Sequence, residues 1–420
     1  MKTLSCLVNA RIPQRQIRRR ELRHFAESGW PEFRTTPLVA EELHQPRYQL
    51  KPRREVIDAD ARMGLPSAEV LAQQEARVLE QDALPQWLSH FSDGVVTTLE
   101  TGRPGPVMGF RVNMDTLDQN ESRDADHLPT RKSFSSCNAG MMHTCRHDGH
   151  TTTGLALAGV LMEIKEQPGG PQPTEESVRS AKAMATASVV DDVDLFTAIH
   201  PGTDVPAGKI VCGSDTFLAT TRMDVNFTGV DAHTGGKPEE GRNVLLTAAQ
   251  ATLARHNPLH RGGVTRVSVG VFQAGTGRNV VSDCAMMKVE TRGVSNQVND
   301  DIYQQALRVI SEGVEYDIKL MGSARNCPPG QPWGDFIHQQ ADDMGIFTSV
   351  IDTRQQAAGS EDATDMLERV QQRGGQSSYV IFGCDLAAGH HSSRFDFDET
   401  LMATAVQTPA LNQVQSGGQR

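Results

Sequence analysis

The chain contains no hydrophobic run approaching the roughly 20 residues that a membrane-crossing helix needs, so no helical span is expected. A disulfide framework is missing as well: seven cysteines, an odd number, lie at irregular spacing along 420 residues, unlike a stapled secreted domain. The opening stretch MKTLSCLVNA has one lysine and a short apolar run broken by Asn9 and Arg11, too little for a secretory signal core. Basic charge is in deficit, because 41 Lys+Arg against 52 Asp+Glu leave a net charge of -11. That argues against general affinity for nucleic acid or anionic membrane. Neither an internal repeat nor a low-complexity segment is found. The reading is a protein of the cytoplasm, a reducing compartment. The one arginine-rich run, residues 18–20, continues into Glu21 and Leu22 at helical spacing and reads as a solvated helix face.

What is present is ordinary for a folded enzyme: 38% hydrophobic residues, enough to bury sizeable cores in two domains. Helical patterns at 16–28, 36–44 and 66–90 lead into 94–101 and 106–115, which read as strands of a buried sheet. The stretch 147–166 reads as a helix, and 194–200 and 209–213 as short apolar strands, the alternation of an α/β layer with a mostly parallel central sheet flanked by helices. From 221 to 321 the order is strand (221–229), helix (243–256), strand (266–275), strand (285–293), helix (299–312), strand (315–321). This βαββαβ order predicts an inserted ferredoxin-like α+β domain. Alternation resumes at Trp333 and ends on the buried strand 378–382, so the division is 1–220 and 326–420 for the main domain and 221–325 for the insert.

The densest chemistry lies in MMHTCRHDGH, residues 141–150. Cys145 and His147 stand two apart where a loop enters a helix, which lets a thiolate and an imidazole converge on one cation, with Asp148 placed to orient a ring. Further candidates fall near element ends: Glu175 and Glu176, His200, and the pair His390 and His391. In open α/β sheets ligands gather at the carboxyl ends of strands. Adjacent glutamates suit a division of labour, one binding metal and its neighbour moving a proton. Each feature also has a bland reading when taken alone. The histidines then cap a helix, Cys145 is a small buried residue, and the glutamates start a solvated helix.

Together the motifs HFAESGWPEFRT, TGRPGPV, CNAGMMHTCRHDGHT, VVDDVDLFTAIH, VPAGKIVCGSD, GTGRNVV, KVETRG, AGSEDAT and LAAGHHSSRFDFDE carry a resemblance covering about residues 18–405. The chain resembles the two-domain metallo-amidohydrolases that include aminoacylases, auxin-conjugate hydrolases and dimetal carboxypeptidases. The resemblance implies two divalent metal ions per chain, manganese or zinc, held by Cys145, His147, Glu176, His200 and His391, with Glu175 as general base. It implies that His233 reaches into a partner's active site, that Asn279 and Arg292 hold the substrate's carboxylate end, and that Gly359 and Ser360 line the pocket. The inserted domain would serve as lid and dimerisation domain, pairing the chain with a copy of itself or with a related B-type subunit. The implied reaction is hydrolysis of the amide of a small N-acyl or N-aroyl amino acid, an aroyl-glutamate above all.

The sequence also departs from that pattern. Arg146 replaces a glycine between Cys145 and His147, where its charge would repel a metal and its bulk crowd the turn unless the side chain points away. Asn113 stands where an aspartate is usual, Ser282 replaces a proline, and Thr174 an alanine. The segment Pro168 to Pro171, PGGP, replaces an apolar central strand that proline and glycine cannot form. Arg146 and this segment favour the alternative of a catalytically impaired binding or partner subunit; a third reading is a stable fold whose metal cluster is structural or vestigial and whose function lies elsewhere. Arg292 has its own bland alternative, a strand arginine paired with Glu290.

Overall fold

Three short stretches, LFTAIHP, KIVCGS and QSSYVIF, are buried along almost their whole length, the behaviour of strands covered on both faces. The computed structural model describes residues 2–45, 48–51, 53–88, 94–100, 105–164, 180–202, 205–214, 217–254, 263–310, 314–354 and 359–416. Within them the strands in chain order are β1 (Tyr48–Lys51), β2 (Val96–Leu99), β3 (Met108–Arg111), β4 (Leu195–Pro201), β5 (Lys209–Ser214), β6 (Ala219–Thr228), β7 (Thr265–Ala274), β8 (Cys284–Gly293), β9 (Glu315–Ala324), β10 (Ser349–Arg354) and β11 (Gln376–Phe382).

A five-stranded sheet runs in the order β10-β5-β11-β4-β3. Neighbours are parallel except at β11 and β5, which meet antiparallel through Ile381 opposite Val211 and Phe382 opposite Ile210. Successive strand residues point to opposite faces, so two cores form. Ile199, Ile210, Val380 and Phe382 join one, while Phe196, Ala198, Val211, Tyr379 and Ile381 join the other. The helix His147–Ile164 is buried on nearly all sides and packs against the helices Lys2–His24 and Leu401–Ser416.

A second, four-stranded antiparallel sheet runs β7-β8-β6-β9. The helices Val244–Ala254 and Asn296–Ile310 cover one of its faces over a core that includes Met223, Val225, Met287, Val289 and Ile302. With β6 and β9 as first and last strands, this is the expected ferredoxin-like order.

Some readings need correction. The pattern at 66–90 is two helices, Ala68–Leu79 and Pro85–Leu88, because Asp82 takes a positive φ of 58° and Pro85 opens a new turn. The strand read at 94–101 is β2, which pairs with β1 in a separate antiparallel ribbon rather than in the central sheet. Of the arginine run, Arg19 is no solvated residue. It is 1% exposed and ion-paired to Asp148, Asp396 and Glu399. Glu175, Glu176, Thr174 and the Pro168 to Pro171 segment lie outside the described residues.

Candidate metal centre

Helix and sheet meet where β4 ends in His200 and Pro201, where β3 runs on into Asn113 and Asp115, and where the helix His147–Ile164 begins. This is the carboxyl edge of the sheet, and the positive end of the helix dipole adds a preference for anionic ligands there. Cys145, His147 and His200 present ligand atoms that all lie within 4.8 Å of one another. Cys145 Sγ is 3.7 Å from His200 Nε2 and 3.7 Å from His390 Nδ1.

Each buried imidazole is oriented by a group behind it. A carbonyl oxygen only accepts, so His200 Nδ1, 2.9 Å from Pro201 O, must carry the proton and leave the Nε2 lone pair on the thiol side. His147 Nδ1 likewise donates to Asp115, 3.0 Å from its backbone oxygen and 3.2 Å from its carboxylate. Such outer partners are what a metal-binding histidine needs. Burial, followed by the charge of His147, His390 and Arg146, holds His200 well below the ordinary imidazole pKa, so it is neutral as metal binding requires. Neighbouring His150 is kept neutral in the same way, by burial first and then by His200 and His147. A thiol and oriented neutral imidazoles together fit a divalent cation.

Arg146 does point away. Its backbone takes φ 67°, and its buried guanidinium donates to the Pro201 carbonyl and lies 5.3 Å from the Phe395 ring centroid. It fills the space over Gly202, where any side chain would collide with it. The expected crowding is absent because the left-handed backbone turns the side chain behind the ligands. Asp148 departs from its expected role: it faces Arg19 at 2.7 Å, and Asp115 is the carboxylate that orients a ring.

The remaining sequence candidates fall in two groups. His391 has φ 59°, is exposed, and its N–H meets Thr144 O at 3.3 Å. The protein packed around it, then His147, Arg222 and Arg292, hold its imidazole below the ordinary value. Gly359, at φ 93°, accepts from Leu218 N at 2.7 Å, and Arg292 Nη1 lies 3.9 Å from where a Gly359 side chain would begin. Ser360 follows it directly. Arg292 also pairs with Glu290, Nε to Oε2 2.8 Å, the bland contact the sequence allowed. His233 and Asn279 stand together elsewhere, both exposed, with Thr234 N donating to Asn279 O at 3.2 Å; His233 is not part of the Cys145 cluster.

Sequence reasoning missed a buried network beside this site. Arg111 donates to Glu361 at 2.9 Å and to Asp362 at 2.7 Å, and the Tyr379 hydroxyl donates to Glu361 at 2.5 Å. Burial pushes Asp362 well above the ordinary carboxylate range, with Arg111 opposing it. An arginine inside the apolar stretch MGFRV was the available signal. Arg222 was also missed, and it had no local signal.

An α/β sheet carrying a thiol and imidazole cluster at its carboxyl edge, joined to a ferredoxin-like sheet, defines a two-sheet metallohydrolase. The chain belongs to the family described as peptidase family M20/M25/M40, whose model matches residues 109–412. It is 51% identical over 424 residues to the A-type subunit of p-aminobenzoyl-glutamate hydrolase from Escherichia coli (strain K12), covering 98% of this chain and 97% of that one. It is 50% identical over 434 residues to indole-3-acetyl-aspartic acid hydrolase of Enterobacter agglomerans, covering 100% of both. The crystal structure of the aminobenzoyl-glutamate utilization protein from Klebsiella pneumoniae superposes with TM-score 0.82 at 44% identity, covering 97% of each chain.

Proposed function

We propose that this metal-dependent amide hydrolase releases an acidic amino acid from an N-acyl or N-aroyl conjugate, with p-aminobenzoyl-glutamate, split to p-aminobenzoate and glutamate, as its substrate. The observation that carries the reading is the Cys145, His147 and His200 donor set, with the Nδ1 atom of each imidazole tied down behind it. The two relatives at about half identity support the substrate class, since both names specify an acidic amino acid and differ in the acyl part.

In this reading Cys145, His147, Glu176, His200 and His391 hold two divalent ions, manganese or zinc, which acidify water and polarise a carbonyl when bound. Glu175 takes the proton of the attacking water and returns it to the leaving nitrogen. His233 donates to the oxyanion across the boundary between two chains, a contribution of roughly a few kcal/mol. Asn279 and Arg292 hold the α-carboxylate, and Gly359 and Ser360 line the pocket. The insert 221–325, set between 1–220 and 326–420, forms lid and dimer contact in the cytoplasm, and its partner is a second copy or a B-type subunit.

The test is p-aminobenzoyl-glutamate turnover and metal content on one purified sample, with and without manganese or zinc, beside Glu175→Ala and Cys145→Ala. Metal-dependent turnover lost in both variants supports the reading. Folded protein that binds metal without turnover would make a non-catalytic binding role the better account. Arg146, turned behind the donor set onto the Pro201 carbonyl, no longer crowds the site, while its charge still acts on His200.

A further inference from the structure

On β6 and β8, strand alternation puts Met223, Val225, Met287 and Val289 under the helices, and Arg222, Glu290 and Arg292 on the opposite face. Arg222 lies directly across from Glu290 in the register, and Thr220 across from Arg292. The Glu290 carboxylate accepts from Arg222 Nε at 2.7 Å, from Arg292 Nε at 2.8 Å and from Arg292 Nη2 at 3.0 Å. Burial works to raise Glu290, but the hydrogen bonds and charges of Arg292 and Arg222 prevail and keep it anionic. Two cations therefore share one anion, and the triad keeps an excess positive charge.

The donors left over matter most. Each guanidinium carries five N–H groups in a fixed fork. Glu290 occupies the Nε/Nη2 edge of Arg292 and only the Nε of Arg222, so both terminal nitrogens of Arg222 have no partner among the described residues. The end of a guanidinium is a planar, two-pronged fit for a carboxylate. The side chains of Arg222 and Arg292 are 28% and 22% exposed, shielded yet reachable. Arg292 faces the Gly359 loop, whose Glu361 accepts from Tyr379 beside the His200 ring, and Arg222 stands next to Arg292 across Glu290, so the triad borders the candidate centre.

We propose that Arg222 is a specificity-determining residue that receives the side-chain carboxylate of the acidic leaving amino acid, with Glu290 as the template that spaces Arg222 from Arg292. The inference rests on the hydrolase reading above and adds to it why an acidic residue is chosen. A substrate with one carboxylate satisfies Arg292 alone, whereas an aspartate or glutamate conjugate satisfies both arginines.

The test compares p-aminobenzoyl-glutamate with p-aminobenzoyl-glutamine on wild type, Arg222→Gln and Arg222→Lys, reading kcat/KM and, independently, calorimetric binding. A lost two-pronged charged contact lowers the glutamate-over-glutamine preference about ten- to a hundredfold in Arg222→Gln, with Arg222→Lys in between. An unchanged preference in both variants overturns the proposal, as does an equal loss on both substrates. If wild type turns over neither compound, the hydrolase reading fails while the binding ratio still decides on Arg222. Equal wild-type binding of the two compounds overturns it.

Discussion

Arg19 and Asp148 form an ion pair from which water is excluded, Nε to Oδ2 2.7 Å, joining the first helix to the residue that follows His147. Arg19 also holds Asp396 and Glu399, and the next helical turn contributes Arg23, paired to Glu121 at 2.7 Å and bonded to the Phe395 carbonyl. The helix Lys2–His24 thus ties the start of the motif helix to the segment following His390 and His391.

Replacing Arg19 with alanine strands buried carboxylates, a change that typically costs about 3–5 kcal/mol. Urea unfolding of Arg19→Ala against wild type measures it. A loss below about 1 kcal/mol would mean that the ion pairs do not hold these segments together.

Asp365 sets a pH dependence. Burial raises its pKa from 3.8 to about 7, with Lys182 opposing. The folded state therefore binds this proton more tightly than the unfolded chain does. Its stabilising contribution is complete below pH 3.8 and is lost as pH rises through about 7. Asp365→Asn should remove this loss, gaining in melting temperature over wild type at pH 8 and little at pH 4. Parallel curves for the two proteins across that range would contradict the assignment.

Gly202 should tolerate no side chain. At φ 91°, a methyl group there is strained and also meets the Arg146 guanidinium. Gly202→Ala should destabilise the fold by about 1–3 kcal/mol. Because His200 and Arg146 share the Pro201 carbonyl, it should weaken metal binding as well. Thermal melts and metal titration on the same sample check both effects.

Asn113 Nδ2 stands 3.1 Å from His147 Nε2, where it donates to the lone pair that a metal would use. Displacing a hydrogen bond of about 1 kcal/mol costs roughly fivefold in affinity. Asn113→Asp, which lacks the donor, should bind zinc or manganese at least that much more tightly in equilibrium dialysis, and weaker binding would show that Asn113 supports the site.

The strands were legible where apolar runs were continuous, as in β4, β5 and β11, and the ferredoxin-like order was legible from the spacing of its elements. Cys145 and His147 were visible because their chemistry is crowded into ten residues. Burial of Arg19 was not. An arginine run at helical spacing looks the same whether it meets water or carboxylates, and one of its partners, Glu399, stands 380 positions away. The direction of Arg146 depended on a backbone dihedral and on Gly202, and neither belongs to a motif. Arg222 meets Glu290 only through the register of β6 with β8, a relation that a linear pattern does not contain.

The place of β11 bears on how the chain is made. It lies between β4 and β5, so those earlier strands never touch, and residues 376–382 of 420 must leave the ribosome before the sheet can close. The antiparallel sheet from β6 to β9 needs only a contiguous segment and can assemble first. A nascent chain therefore exposes the two halves of its central sheet for most of its synthesis, and a chain cut short before β11 leaves the strand that carries His200 without a neighbour on that side.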